Sequence, residues 1–173
     1  MSHLAIPVSA QDHLQGAADA PLVLVEYGDF ECPYCGRMYP IIKELQRAIG
    51  PRLVVVYRHF PLVDMHPHAG AAALVSEAAA QANLFWPMHD VLFENQGALE
   101  DRDLARYAEE LLVPEAFVQR AFQGQYVAKV EADFKGGVRS GVNGTPSLFL
   151  NGVRYDGEPD FAPLLKTMER LLG

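Results

Sequence analysis

Apolar positions in this chain fall into short unbroken runs and longer periodic ones. Leu22 to Tyr27, between Pro21 and Gly28, and Leu53 to Arg58 are rich in Val and Leu and too short for a core helix. Both read as strands buried on two faces. Between them Met38, Ile41, Ile42, Leu45 and Ile49 recur at three- and four-residue steps and stop at Gly50-Pro51. That spacing predicts an amphipathic helix over Pro33 to Ile49, kinked at Pro40, where proline removes an internal hydrogen bond. Strand, helix and strand in this order make a β-α-β unit with a parallel pair and a right-handed crossover.

From His66 the pattern changes. Ala69 to Ala82 contains eight alanines. Leu84 to Leu92, Asp101 to Leu112, Pro114 to Phe122 and Gln125 to Ser140 also favour helix, with Asp101 and Pro114 as starts and Asn83, Gly97 and Gly124 as breaks. Sheet character returns at Ser147 to Leu150. Asn151-Gly152 then signals a tight hairpin into Val153 to Tyr155. Asp160 to Leu172 closes the chain as a helix, with an early interruption expected at Pro163. The fold class is α/β, with a helical block set inside it. No internal repeat or low-complexity linker is evident.

At 173 residues the chain suits one domain, or one domain carrying an insertion, and buries roughly 70% of its unfolded surface. Half the residues are hydrophobic and 21% are charged, which excludes extensive disorder. Fourteen Lys plus Arg against twenty-two Asp plus Glu give a net charge of -8. No basic footprint for nucleic acid or an anionic membrane is present, and neither is expected as a partner. Met1 to Ala20 holds Asp12 and Asp19, no Lys or Arg and no unbroken apolar core, so it does not read as a signal peptide. No segment has the length of a membrane span. The expected location is the cytoplasm if Met1 is the native start, and the periplasm or exterior if a leader has been removed.

The candidate chemistry lies in Cys32-Pro33-Tyr34-Cys35, which contains the only two cysteines of the chain. A disulfide across two intervening residues closes almost no loop, so a stabilising staple is a weak reading. A four-ligand zinc site needs more donors, and there is no second Cys-x-x-Cys; His66 and His68 would have to be recruited by long-range folding. Thiol redox chemistry remains the favoured reading, with inert thiols as the bland alternative. His59, His66, His68 and His89 lack the spacing of a helical metal motif and read as partly exposed structural residues, so no metal site is expected. Phe85, Trp86, Leu92 and Phe93 read as packing for the helical block. Gly136, Gly137, Gly141 and Gly144 lack the strand and helix that frame a phosphate loop.

Three stretches carry a family resemblance: Val25-Glu26-Tyr27-Gly28-Asp29-Phe30-Glu31-Cys32-Pro33-Tyr34-Cys35, then Phe85-Trp86-Pro87-Met88-His89-Asp90, then Gly144-Thr145-Pro146-Ser147 before Phe-Leu-Asn-Gly. In this order, across nearly the whole chain, they resemble the DsbA-like thiol-disulfide oxidoreductases. The resemblance implies a thioredoxin-like fold with a helical domain inserted after the first β-α-β unit. Residues 1–62 and 141–173 would form the thioredoxin-like part and 63–140 the insertion. It also implies exchange with protein or peptide thiols and disulfides, no bound cofactor, and a redox partner such as glutathione or a thioredoxin-type reductase.

Physical chemistry gives each matching residue a role beside that resemblance. Cys32 at the helix start meets free N–H groups and the positive dipole end, which favour a thiolate nucleophile. Pro33 fits the first helical position. Cys35, one turn inward, is expected to be less exposed, higher in pKa and the resolving thiol. Glu26, a carboxylate in a buried strand, matches the family's buried acid and would take the Cys35 proton; its alternative is a solvent-reaching or Arg58-paired carboxylate. Thr145 and Pro146 match the family's cis-proline loop, which aligns an extended substrate segment. Tyr34 adds no cationic donor, and Pro-Tyr is the glutaredoxin dipeptide, so the expected potential lies near about -200 to -230 mV. Arg37 either lowers the Cys32 pKa or is a solvated charge. The alternatives are a glutathione-linked reductase or isomerase of the same fold, and a metal carrier using the Cys pair. Oxidant, reductant and isomerase roles all stay open.

Overall fold

The computed structural model describes residues 2–173, and Met1 lies outside them. In chain order the elements are β1 (His13–Gln15), β2 (Leu22–Gly28), α1 (Pro33–Ile49), β3 (Leu53–His59), α2 (Ala69–Ala80), α3 (Phe85–Glu94), α4 (Asp101–Glu110), α5 (Glu115–Phe122), α6 (Val127–Arg139), β4 (Ser147–Leu150), β5 (Val153–Arg154) and α7 (Phe161–Leu172). The sheet order is β1-β3-β2-β4-β5. β2 and β3 are parallel, from Leu22 beside Leu53 to Gly28 beside His59. β4 runs antiparallel to β2, and β1 antiparallel to β3.

Strand alternation sorts the core. On one face Leu22, Leu24, Leu53 and Val55 pack with Met38, Ile42 and Leu45 of α1 and with Leu164 and Met168 of α7. On the other, Val25, Tyr27, Val56 and Phe149 pack with Phe60 and Phe134. Helices α2 to α5 build a third cluster that takes in Phe30, Cys32, Cys35 and Tyr57, so the cysteines sit where the sheet meets the helical block. No helix among the described residues is long and apolar enough to cross a membrane.

Several boundaries differ from the sequence expectation, for local reasons. α2 ends at Ala80 and α4 at Glu110, each short of the apolar pattern. Asn83 and Leu112, both at φ 59°, then enter left-handed backbone, and the next N–H (Leu84, Val113) returns to the carbonyl five residues back (Ala79, Ala108). These closures satisfy the orphan carbonyls at each helix end. Gly124 and Gly141 do the same after α5 and α6. Pro163 does not interrupt α7: it is the third residue, where an amide would have no intrahelical partner, and Asp160 caps the helix by accepting from Phe161 N at 2.7 Å. α1 is one helix with Pro40 inside it. Edge strand β1 carries no sequence signal, because three residues are too few to show alternation.

Candidate redox site

The end of β2 delivers the cysteine pair. Cys32 is the N-cap of α1, with extended backbone (φ -71°, ψ 122°), and Pro33 follows where a missing N–H costs nothing. The preceding loop is tied by Asp29, whose carboxylate is buried and accepts from Glu31 N and Leu62 N, both at 2.8 Å. From the helical block, Gln96 donates through Nε2 to Phe30 O at 2.8 Å and Cys32 O at 2.9 Å. A Cβ on Gly36 would collide with that same Gln96 side chain, so glycine lets the block close over the first turn of α1.

The two thiols differ sharply. Both are buried, Cys32 at 3% exposure and Cys35 at 0%. A hydrogen bond from the Cys35 thiol leads the groups that push Cys32 down to about 5, against the effect of burial; Thr145 and the N–H groups of Tyr34 and Cys35 assist. Burial pushes Cys35 well above its ordinary value, and the hydrogen bond to Cys32 and the charge of Glu26 add to it. Thr145 Oγ1 is buried with no other partner, which leaves its proton free to turn to the thiolate, while Cys32 Sγ–H reaches Thr145 O at 3.4 Å. The Thr145–Pro146 peptide is cis and immediately precedes β4.

Glu26 faces the same side of the sheet as α1, at 3% exposure, with Oε1 unpartnered. Burial, and secondarily the Cys32 charge, raise its pKa to about 8. A cavity of about 10 Å³ beside it, lined by Lys43, Gln46 and His89, matches the room one water needs. Arg58 is not its partner, which corrects that alternative. Arg58 lies in register with Tyr27 on the opposite face, where it holds Asp12 at 2.8 and 3.0 Å and donates to Tyr27 Oη at 3.0 Å.

Cys32, Cys35, Glu26, Thr145 and Pro146 are thus gathered at one end of the sheet, while Pro33 and Tyr34 form its exposed rim. Arg37 is absent from the groups that lower Cys32; its guanidinium lies 4.3 Å over the Tyr34 ring. His66, read as structural, hydrogen-bonds Asp29 at 2.8 Å; burial opposes its charge, but Asp29 raises its pKa and the Cys32 charge adds to that. When protonated it would place beside Cys32 a positive charge that Tyr34 does not offer. Only the His-Pro-His after β3 hinted at it, and nothing local marked Gln96. His59 and His89, expected to be partly exposed, are buried at 1% and 5%. His59 shares Glu77 with His13, and His89 contacts Asp90 at 2.9 Å. Among the described residues, His13, His59 and Glu77 are the cluster whose donor atoms approach closely enough to hold a metal ion.

Comparison with known proteins agrees with this architecture. The profile of the family described as Thioredoxin matches residues 9–170. A curated relative from Salinispora arenicola, named Na(+)/H(+) antiporter NhaA 1, is 42% identical over 156 residues, covering 89% of this chain and 24% of that protein. The chain therefore spans about a quarter of the length of that relative. Among solved structures, oxidised BdbD from Bacillus subtilis superposes with a TM-score of 0.87 at 22% identity, covering 99% of each chain. α-DsbA1 from Wolbachia pipientis superposes with a TM-score of 0.80 at 17% identity, covering 97% of this chain and 94% of that one. With its helices α2 to α6 set between β3 and β4 of the sheet, the chain shares the fold of these solved structures and belongs to the thioredoxin family.

Proposed function

We propose that the chain is a thiol-disulfide oxidoreductase acting on protein or peptide substrates, without a bound cofactor. The observation that carries this reading is the asymmetry of the thiols: at neutral pH Cys32 is a thiolate and Cys35 keeps its proton. In the reducing direction, Cys32 S⁻ attacks one sulfur of a substrate disulfide. That S–S bond breaks, a mixed disulfide forms, and the first substrate thiolate leaves and takes a proton from solvent. Glu26, when ionised, then accepts the Cys35 proton as Cys35 attacks Cys32 Sγ. The second substrate thiolate leaves, and the enzyme is left as the Cys32–Cys35 disulfide, oxidised by the two electrons the substrate gained. Oxidation of a substrate dithiol is the reverse sequence.

The backbone of Thr145, beside the sulfur, would pair with an extended substrate segment in the manner of an added strand, with Pro146 limiting that edge and Pro33 and Tyr34 flanking it. Glutathione or a thioredoxin-type reductase would return the pair to its starting state. A Cys32 pKa of about 5 falls between the values near 7 for thioredoxin and about 3.5 for DsbA, which supports an intermediate potential. The antiporter activity named for the curated relative is not assigned to this quarter-length match; thiol exchange is.

Insulin reduction and oxidative refolding of a reduced disulfide protein test the reading. Cys32→Ser is expected to abolish both, and Cys35→Ser to accumulate mixed disulfides. Turnover by the Cys32→Ser protein would overturn the assignment.

A further inference from the structure

Away from the thiols, three segments distant in sequence place nitrogen and oxygen donors on one point. His13 of edge strand β1 sits beside Tyr57 of β3, and His59 lies two residues further along β3, so strand alternation turns both imidazoles to the same side. Alanine-rich α2 packs close to that side and brings Glu77 within reach. His13 Nε2 and His59 Nε2 meet the same carboxylate oxygen, Oε1 of Glu77, at 2.6 and 2.7 Å. All three donor atoms lie within 4.8 Å of one another. The ring of Phe85 stacks on His13 at 3.6 Å and 6°, which fixes the imidazole plane.

On the His13 side the cluster opens into a cavity of about 650 Å³, whose walls include Gln81 and Tyr126. Tyr126 Oη is buried there with no hydrogen-bond partner. Asp12 also borders the cavity, but its carboxylate is held by Arg58 and is not available as a donor.

We propose that His13, His59 and Glu77 bind one divalent cation of the zinc class, with a fourth position left open to the cavity. Two neutral imidazoles and a carboxylate suit zinc; calcium and magnesium take all-oxygen sets. Metal–ligand bonds of 2.0–2.2 Å in tetrahedral array require donor separations of about 3.3 Å. Entry of the ion therefore needs the two N···O contacts to open by roughly 0.7 Å, with each neutral imidazole carrying its ring proton on Nδ1 so that Nε2 is free to ligate. The site would clip β1 and β3 to α2, joining sheet to helical block, and it does not depend on the thiol reading.

The test uses the full chain with Cys32 and Cys35 oxidised to the disulfide, so that neither thiol can ligate. Titration with Co²⁺ is expected to give one equivalent with a tetrahedral visible spectrum and no thiolate charge-transfer band, displaced by Zn²⁺. Zn²⁺ alone is expected to raise the Tm. The double variant Cys32→Ser/Cys35→Ser keeps this binding, whereas His13→Gln, altered at the part-exposed edge, weakens it by more than about 100-fold, beyond the loss of an outer-shell partner. Imidazole ¹⁵N spectra of the unmodified chain decide the matter without a variant: Nε2 of His13 and His59 shift on zinc addition, and those of His66 and His68 do not. Absence of stoichiometric binding by the oxidised protein, equal affinity in a folded His13→Gln protein, or unshifted His13 and His59 signals would each overturn the proposal.

Discussion

Replacement of Glu26 by Gln gives a stability change whose size and sign follow from burial. The folded protein keeps the Glu26 carboxyl protonated up to about pH 8, while the unfolded chain releases the proton near its ordinary 4.5. Across this window the native state binds more protons, so stability from this group is fully present below pH 4.5 and is lost as pH rises to 8. At pH 7 the 2.5-unit gap above 4.5 corresponds to about 3 kcal/mol of destabilisation, at 1.36 kcal/mol per unit. The amide of the Glu26→Gln variant has no such proton to release. Urea unfolding of reduced wild type and Glu26→Gln should therefore differ by under about 1 kcal/mol at pH 5, with the variant's advantage growing by about 3 kcal/mol by pH 8. Because part of the elevation comes from the Cys32 charge, the window should close at lower pH in the disulfide form, which has no thiolate. The same variant should resolve a Cys32 mixed disulfide about 100-fold more slowly, the range of a lost general base. A wild-type-minus-variant stability difference that stays flat from pH 5 to 8 would refute the placement of Glu26 as a buried, unpaired acid.

Alkylation of Cys32 should titrate with a midpoint near 5. The rate at pH 7 is a poor readout, because a low pKa raises the thiolate fraction but lowers its nucleophilicity by a Brønsted slope of about 0.4–0.5. Cys35→Ala removes the leading donor to that thiolate; a charged hydrogen bond of about 1.5–3 kcal/mol predicts a midpoint about 1–2 units higher, and an unmoved midpoint would exclude the Cys35 contact. Gly36→Ala should displace Gln96, removing its donor from Phe30 O and leaving Cys32 O with Gly36 N alone, costing about 1–3 kcal/mol by thermal unfolding; Gln96→Ala should cost a similar amount, and the two should be non-additive. Leu112→Gly should stabilise by about 0.5–1 kcal/mol, since Leu112 is 84% exposed and held at φ 59°.

The β-α-β unit, the helical block and the hairpin were legible in the sequence because each is a local pattern: an unbroken apolar run, a three- and four-residue step, an Asn-Gly pair. The break at Asn83 was legible too, since asparagine tolerates left-handed backbone, but the helix end at Leu112 was not, because a left-handed residue closes the helix wherever the following N–H finds its carbonyl, and leucine gives no hint of that role. The cysteines were legible as a pair for the same local reason. Arg58 and Glu26 show the limit more sharply. Both are charged residues in buried strands, yet parallel register sets Arg58 beside Tyr27 and Glu26 beside Tyr57, on opposite faces, and only pairing between the strands reveals it. Gln96, His13 and Glu77 enter their sites entirely through packing of the helical block on the sheet.

That separation bears on the redox poise. Tyr34 alone suggests a weakly activated nucleophile, because a tyrosine ring brings no positive charge to the sulfur and stacks instead with Arg37. Yet the groups that lower Cys32 act from elsewhere: the Cys35 thiol, Thr145 more than a hundred residues away, and the N–H groups of Tyr34 and Cys35. His66, held by Asp29, has its pKa raised in part by the Cys32 charge, so its protonated form favours the thiolate in return. Each favours the thiolate, hence the reduced state, and shifts the potential toward oxidation of substrates. The dipeptide between the cysteines is therefore only one of several controls on this pair. His66→Ala should raise the Cys32 pKa and lower the potential even though Cys32-Pro33-Tyr34-Cys35 is unchanged, and a potential unaltered against glutathione buffers would return control to the dipeptide.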